Sequence, residues 1–215
     1  MGKVRCGKVR CGKVRYGFRL RNYIRRTKKM KKYEIQIEGS ADMLINKFDH
    51  ELNKEKSKVQ KDKMPEWEEK NWRRKAYFDK NDNVILPDTY IIGSLRKGAF
   101  ASGLQLSKKT GKKTISKAFI DSNLLIEESP LIGNVKDLTP FSTNVKIGTA
   151  TIMTIRPMLK KGWCATFFIY DLNGMFTEDE IIRLFDYCGK FVGLGDWRPK
   201  YGRYKVKSVE GVKDV

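Results

Sequence analysis

The stretch from Gly189 to Lys207 interleaves glycines (Gly189, Gly193, Gly195, Gly202) with cations (Arg198, Lys200, Arg203) and rings (Trp197, Tyr201). Glycine lets a backbone approach a ligand closely and turn through positive φ, while cations set between rings meet phosphates and bases. These residue types point to a nucleic-acid loop. They equally fit a tight turn joining the last helix to the last strand, with Trp197 and Tyr201 as a lid over the core. Other candidate chemistry is thinner. His50 is the sole histidine and stands among charges with no nucleophile beside it, so it reads as a surface residue. Nothing in its spacing from Asp42 and Asp49 creates an activated base or a metal site. The basic turn Lys108–Lys113 lacks the two-glycine spacing of a phosphate loop, which excludes a nucleotide triphosphatase of that type.

The four cysteines (Cys6, Cys11, Cys164, Cys188) include no Cys-x-x-Cys pair, so no zinc site and no cofactor is expected. Cys164 in a strand pattern and Cys188 late in a helix pattern are expected to be buried, reduced thiols of an intracellular protein. With 215 residues, 40% of them hydrophobic, the chain is globular. Its net charge of +20 favours anionic partners. That excess is uneven: residues 1–32 hold 14 Lys+Arg and no acid, leaving the rest at only +6. No apolar run is long enough to span a membrane and no signal peptide is evident, so a soluble, cytoplasmic protein is expected.

The elements that must position the loop follow from patterning. The N-terminus repeats Gly-Lys-Val-Arg-Cys with a five-residue period that buries no face, so residues 1–29 read as a basic low-complexity, disordered arm. A segment translated ahead of a folded protein beginning at Met30 is the other reading. Residues 31–39 alternate as a strand with Tyr33, Ile35 and Ile37 on one face. Ala41 to Phe48 folds back on it, and Asp49 to Lys63 is a charged helix or loop. Pro65 opens a short helix, and 76–79 with 83–87 form a hairpin. Asp88 caps a helix running to Leu104, whose Gly93, Gly98 and Gly103 mark close approach to a backbone or ligand. Residues 114–126 read as a strand, 127–140 as loop, 141–157 as one or two strands and 162–171 as a central strand. Thr177 and Glu180 make a capping box for the helix ending at Cys188, and the final strand is 203–209.

In order this is β-α-β-β-α-β, an α+β, ferredoxin-like arrangement also used by RNA-recognition modules, with insertions at 40–87 and 127–161 in a domain of residues 30–215. The Phe167-Phe168 pair lacks the Lys/Arg-Gly-Phe lead of an RNA-recognition motif in the narrow sense.

Gly193-Leu-Gly-Asp-Trp-Arg-Pro-Lys-Tyr-Gly-Arg-Tyr204 resembles the C-terminal glycine-rich loop of the repeat-associated mysterious proteins (RAMPs), the superfamily supplying backbone and RNA-processing subunits of CRISPR effector complexes. Leu86-Pro87 through Gly93-Ser-Leu-Arg-Lys97 is similar to its first-helix signature. Together with Tyr33–Gly39 and Arg156-Pro157, these motifs also look like a group of phage and prophage proteins of this length, small stand-alone relatives of that fold. The resemblance implies single-stranded RNA or DNA running where the first helix meets the loop, with subunits stacking along it as a homo-oligomer. Carried over are Arg96 and Lys97 on the helix and Gly193, Gly195, Arg198, Gly202 and Arg203 in the loop, with Trp197 and Tyr201 stacking on bases; Lys200 belongs with them. Asp196, Trp197 and Pro199 depart from the superfamily's glycine- and serine-dense loop, and Asp196 is expected to bridge Arg198 or Arg203. The expected function is non-catalytic, sequence-independent binding of single-stranded nucleic acid. A phage structural or assembly protein, or an endoribonuclease, are the alternatives.

Overall fold

In the computed structural model, residues 30–106 and 115–212 are described. The basic arm and the Lys108–Lys113 turn of the sequence reading lie outside them. In chain order the elements are β1 (Lys31–Gly39), β2 (Met43–Leu44), α1 (His50–Ser57), α2 (Met64–Asn71), β3 (Asn83–Ile85), α3 (Asp88–Ser102), α4 (Lys117–Asn123), β4 (Leu124–Ile126), β5 (Leu131–Asn134), β6 (Leu138–Ile147), β7 (Ala150–Leu159), β8 (Cys164–Asp171), α5 (Glu178–Tyr187) and β9 (Tyr204–Val212).

The alternation in β1 buries Tyr33, Ile35 and Ile37 and leaves Gln36 in solvent. β1 and β8 are the central pair of a sheet ordered β4-β8-β1-β9, in which every neighbouring pair is antiparallel. Ile35, Ile37, Phe167 and Ile169 on its inner face join Ile91, Leu95 and Ala99 of α3 and Ile181, Leu184 and Phe185 of α5 in one core. Each such side chain contributes about 1.5–3 kcal/mol on burial. Beside this layer lie a sheet ordered β2-β7-β6 and a two-stranded pairing of β3 with β5. The protein is therefore mixed α+β with antiparallel sheets.

Helix ends follow their local chemistry. Thr177 and Glu180 form the expected capping box on α5. On α3, Pro87 rather than Asp88 holds the N-cap position; Asp88 is the first helical residue, and its carboxylate accepts the Thr89 N–H at 2.7 Å. Among the three glycines of that pattern only Gly98 marks a close approach, since a Cβ there would overlap Cys188 Sγ. Gly93 faces open space and Gly103 ends the helix at φ 60°.

Three expectations are corrected. Residues 114–126 are not one strand: the Ser116 hydroxyl accepts the Phe119 N–H at 3.1 Å and starts α4, and only Leu124–Ile126 pair with β8. Ile120 and Asn123, three positions apart on one helix face, are the buried residues of α4, a spacing that the β-branched composition disguised. Residues 127–140 are not loop either, because β5 finds its partner β3 some fifty positions earlier, a pairing local pattern does not announce. Cys164 is exposed while Cys188 is buried, since Cys164 lies on the outward face of β8.

Tyr33 donates its hydroxyl to the Phe176 carbonyl at 3.1 Å, and burial, with Asp171, Glu178 and Glu180 nearby, pushes its pKa up to about 12. The folded state thus holds this proton after the unfolded chain has released it. The contribution is complete below about pH 10 and is lost as pH rises towards 12. Urea unfolding of Tyr33→Phe across that window should fall less steeply than wild type, by up to about 1.4 kcal/mol per pH unit.

Candidate nucleic-acid interface

The chain leaves α5 through a π turn at Cys188–Val192 and enters the glycine loop at Gly193, whose N–H donates to the Cys188 carbonyl at 2.7 Å. The loop is then laced to the segment following β1. Asp196 N–H donates to Leu44 O at 2.8 Å, Gly202 N–H to Asp42 O at 2.7 Å, and Ser40 N–H to Arg203 O at 2.8 Å, while Leu194 N–H closes the loop on Gly202 O at 2.9 Å. These donors are therefore spent inside the protein, and the loop meets a ligand through its side chains. Gly202 has φ 72° and a Cβ on it would overlap the Leu194 carbonyl. Gly202→Ala should cost at least about 1–2 kcal/mol from the backbone conformation alone, with more from displacing Leu194; thermal unfolding measures it.

Trp197 is a non-glycine residue at φ 52°, a conformation few L-residues adopt. The hairpin of β6 and β7 helps hold it there. Phe141 and Arg156 are directly opposed across that hairpin. Phe141 meets Trp197 edge-on at 6.1 Å and Tyr201 at 5.5 Å, and the Arg156 guanidinium lies 4.9 Å from the Trp197 ring centre. Arg156 Nε also pairs with Asp196 Oδ2 at 2.9 Å, so the Asp196 partner is neither Arg198 nor Arg203. An arginine fixed by a carboxylate and stacked on the ring offsets the backbone strain by about 0.5–2 kcal/mol. Trp197 and Tyr201 end half-buried, neither sealed in the core nor free.

The other sequence-predicted cations divide. Lys200 and Arg203 are exposed, Lys200 lying 5.5 Å from the Tyr201 ring centre. Arg198 is half-buried, with Nη1 enclosed and without a hydrogen-bond partner, and its charge acts on the Cys188 thiol. Arg96 is exposed but pairs with Asp121 of α4 at 2.5 Å. It lies about 200° round the helix from Ser94, whose carbonyl accepts from the Cys188 thiol at the start of the π turn. Lys97 is exposed and about 60° from Ser94, hence nearer the loop side of α3. His50 is an exposed residue opening α1, whose cap is the carboxylate of Asp49.

Comparison with solved structures gives a chain of the cryo-EM structure of the Type III-B Cmr-beta complex bound to cognate target RNA, at TM-score 0.52 and 14% identity over 92% of this chain and 68% of that one. The two share a fold. No protein-family model and no curated protein matches the sequence.

Arg156 also lines a cleft of about 200 Å³ with Lys47, Lys56, Lys75 and Trp67, in which Lys47 pairs with Asp49 and both Lys56 and Lys75 pair with Glu68. Sequence reasoning quoted Arg156 without a role and passed over Phe141 and this cleft. The one available signal was an arginine set in an otherwise uncharged β7. Among the described residues no helix is long and apolar enough to cross a membrane.

Proposed function

We propose that the protein binds single-stranded nucleic acid without catalysis and without sequence preference, through Trp197, Tyr201, Lys200 and Arg203, with Lys97 and Arg156 flanking. The observation that carries this reading is the Arg156–Asp196 clamp, which holds Trp197 half-exposed in a strained conformation beside Tyr201 and a run of cations. Structural lids do not require strain, whereas stacking platforms need rings fixed in advance. The β1-α3-β4-β8-α5-β9 order and the β4-β8-β1-β9 sheet support a ferredoxin-like core for residues 30–215, with the rest as insertions. The fold shared with a chain of an RNA-bound CRISPR effector complex supports a RAMP-type reading and RNA as the first ligand to try. In this reading Gly193, Gly195 and Gly202 shape the loop rather than cradle phosphate, Arg198 braces it from within, and Arg96 joins only by releasing Asp121. A cytoplasmic, oligomeric and phage-related protein fits the same picture.

Anisotropy titration of the full chain against single- and double-stranded oligonucleotides at two salt concentrations tests it. Lys200→Glu with Arg203→Glu should weaken single-strand binding and lower the salt slope by about two. Unchanged binding in that variant would remove the loop from the interface. Asp196→Asn is a milder probe: it frees Arg156 from its carboxylate, and a fewfold loss of affinity is expected with the net positive charge increased. A gain would mean that bulk charge, not the fixed ring, drives binding.

A further inference from the structure

Arg156 faces two ways. Its Nε is held by Asp196 and its guanidinium lies 4.9 Å from the Trp197 ring centre, yet the same side chain lines the cleft of about 200 Å³ formed with α1, α2 and β7. Strand alternation builds the floor of that cleft: Met153 and Ile155 pack on the core, so Ile152, Thr154 and Arg156 turn the other way and line it along about 13 Å of β7. Asn53 and Lys56 of α1 border it, Asn53 exposed. Trp67 of α2 borders it too, half-buried, with the Lys56 ammonium 5.8 Å from its ring centre.

The charge on the lining has one sign. Lys47, Lys56, Lys75 and Arg156 line the cleft and no carboxylate does. Asp49 lies 3.7 Å from Lys47 and Asp196 lies 2.9 Å from Arg156, whereas Glu68 alone serves both Lys56 and Lys75. Four cations therefore share three carboxylates. The surplus is felt inside the protein: burial lowers the Lys75 pKa, and repulsion from Lys56 and Arg156 adds to the lowering. An anion in the cleft relieves that repulsion, and an aromatic ring beside cations is the pairing that takes a base and its phosphate. At about 200 Å³ the space falls below the roughly 300–1,000 Å³ of a site for an independent small molecule, so it suits one nucleotide unit of a strand held elsewhere as well.

We propose that this cleft is a second nucleotide subsite for the strand that occupies the glycine loop, with a base on Trp67 and its phosphate among Lys47, Lys56 and Arg156. The inference rests on the loop reading and gives the strand a direction. Arg156 joins the Trp197 site to the Trp67 site, so the strand runs from the loop along β7 towards α1 rather than along α3, where Arg96 is paired with Asp121.

Anisotropy titration of the full chain with single-stranded oligonucleotides of about 4 and about 16 nucleotides tests it, the short probe filling the loop and the long one reaching the cleft as well. Trp67→Ala should weaken the long probe about tenfold and leave the short one unchanged, and Trp67→Phe should restore the long one. Asn53→Glu is a surface change that adds a carboxylate to the cleft, and it should likewise weaken only the long probe, by about tenfold. Long-probe affinity that is unchanged in Trp67→Ala and Asn53→Glu overturns the subsite and leaves the loop reading standing. That reading fails separately, if Lys200→Glu with Arg203→Glu changes neither probe. Equal losses for the short and long probes also overturn the subsite, because they make Trp67 a support for β7 rather than a contact of the strand.

Discussion

Glu68→Gln is expected to remove about 3–5 kcal/mol of folding stability, the cost of leaving a buried ion pair without one partner. Glu68 is fully buried on α2. One carboxylate oxygen accepts from Lys56 at 2.5 Å; the other accepts the Ile155 N–H at 2.9 Å and the ammonium of Lys75. Lys75 in turn donates to the Ile155 carbonyl at 2.8 Å. Burial alone would push the Glu68 carboxyl up, but the Ile155 N–H, Lys56 and Lys75 outweigh it and hold it below the usual range. The stabilisation is therefore present at neutral pH and is lost as pH falls through that depressed value. Glutamine keeps the shape and removes the charge, stranding Lys75, whose own pKa is already lowered by burial. Replacing both, as Glu68→Leu with Lys75→Met, should recover much of the loss, because the buried Lys75 charge goes too. Urea unfolding of the single and double variants decides the matter; a single variant within about 1 kcal/mol of wild type would show the pair to be solvated.

The consequence reaches the site. Glu68 grips β7 at Ile155, one residue before Arg156, whose side chain fixes Asp196 and Trp197. A loosened β7 should therefore weaken oligonucleotide binding even at temperatures where the variant remains folded.

Trp197→Ala and Tyr201→Ala are expected each to weaken single-strand binding by about 5- to 150-fold, the equivalent of about 1–3 kcal/mol of base stacking. Both rings are half-buried, so part of each change falls on stability: they lie 6.4 Å apart and share Phe141 as a neighbour. Trp197→Phe and Tyr201→Phe keep a π face and separate the two effects. Retained binding in the phenylalanine variants with loss in the alanine variants supports stacking. Equal affinity in all four, measured by anisotropy at fixed salt, would reduce the loop to a structural turn.

Patterns with a short physical range were legible before any fold was known. Alternation over nine residues identified β1, the Thr177–Glu180 spacing fixed the start of α5, and glycines at 193, 195 and 202 marked a loop that turns through positive φ. Residues 114–126 defeated the same reasoning because β-branched and aromatic residues occur in strands and in buried helices alike, and only packing against α3 and β8 separates them.

Sequence by itself determined the residue types available for binding: a loop rich in rings and cations, a strongly basic N-terminal stretch, and a mildly basic remainder. Tertiary structure alone decided which of them meet. Arg156 and Phe141 stand fifteen residues apart in the chain yet face each other across a hairpin and close on Trp197, while Arg96, which the sequence grouped with the loop, turns to Asp121. Side-chain pairing across strands and round a helix depends on register and rotation, and those are set by the core as a whole rather than by neighbours along the chain.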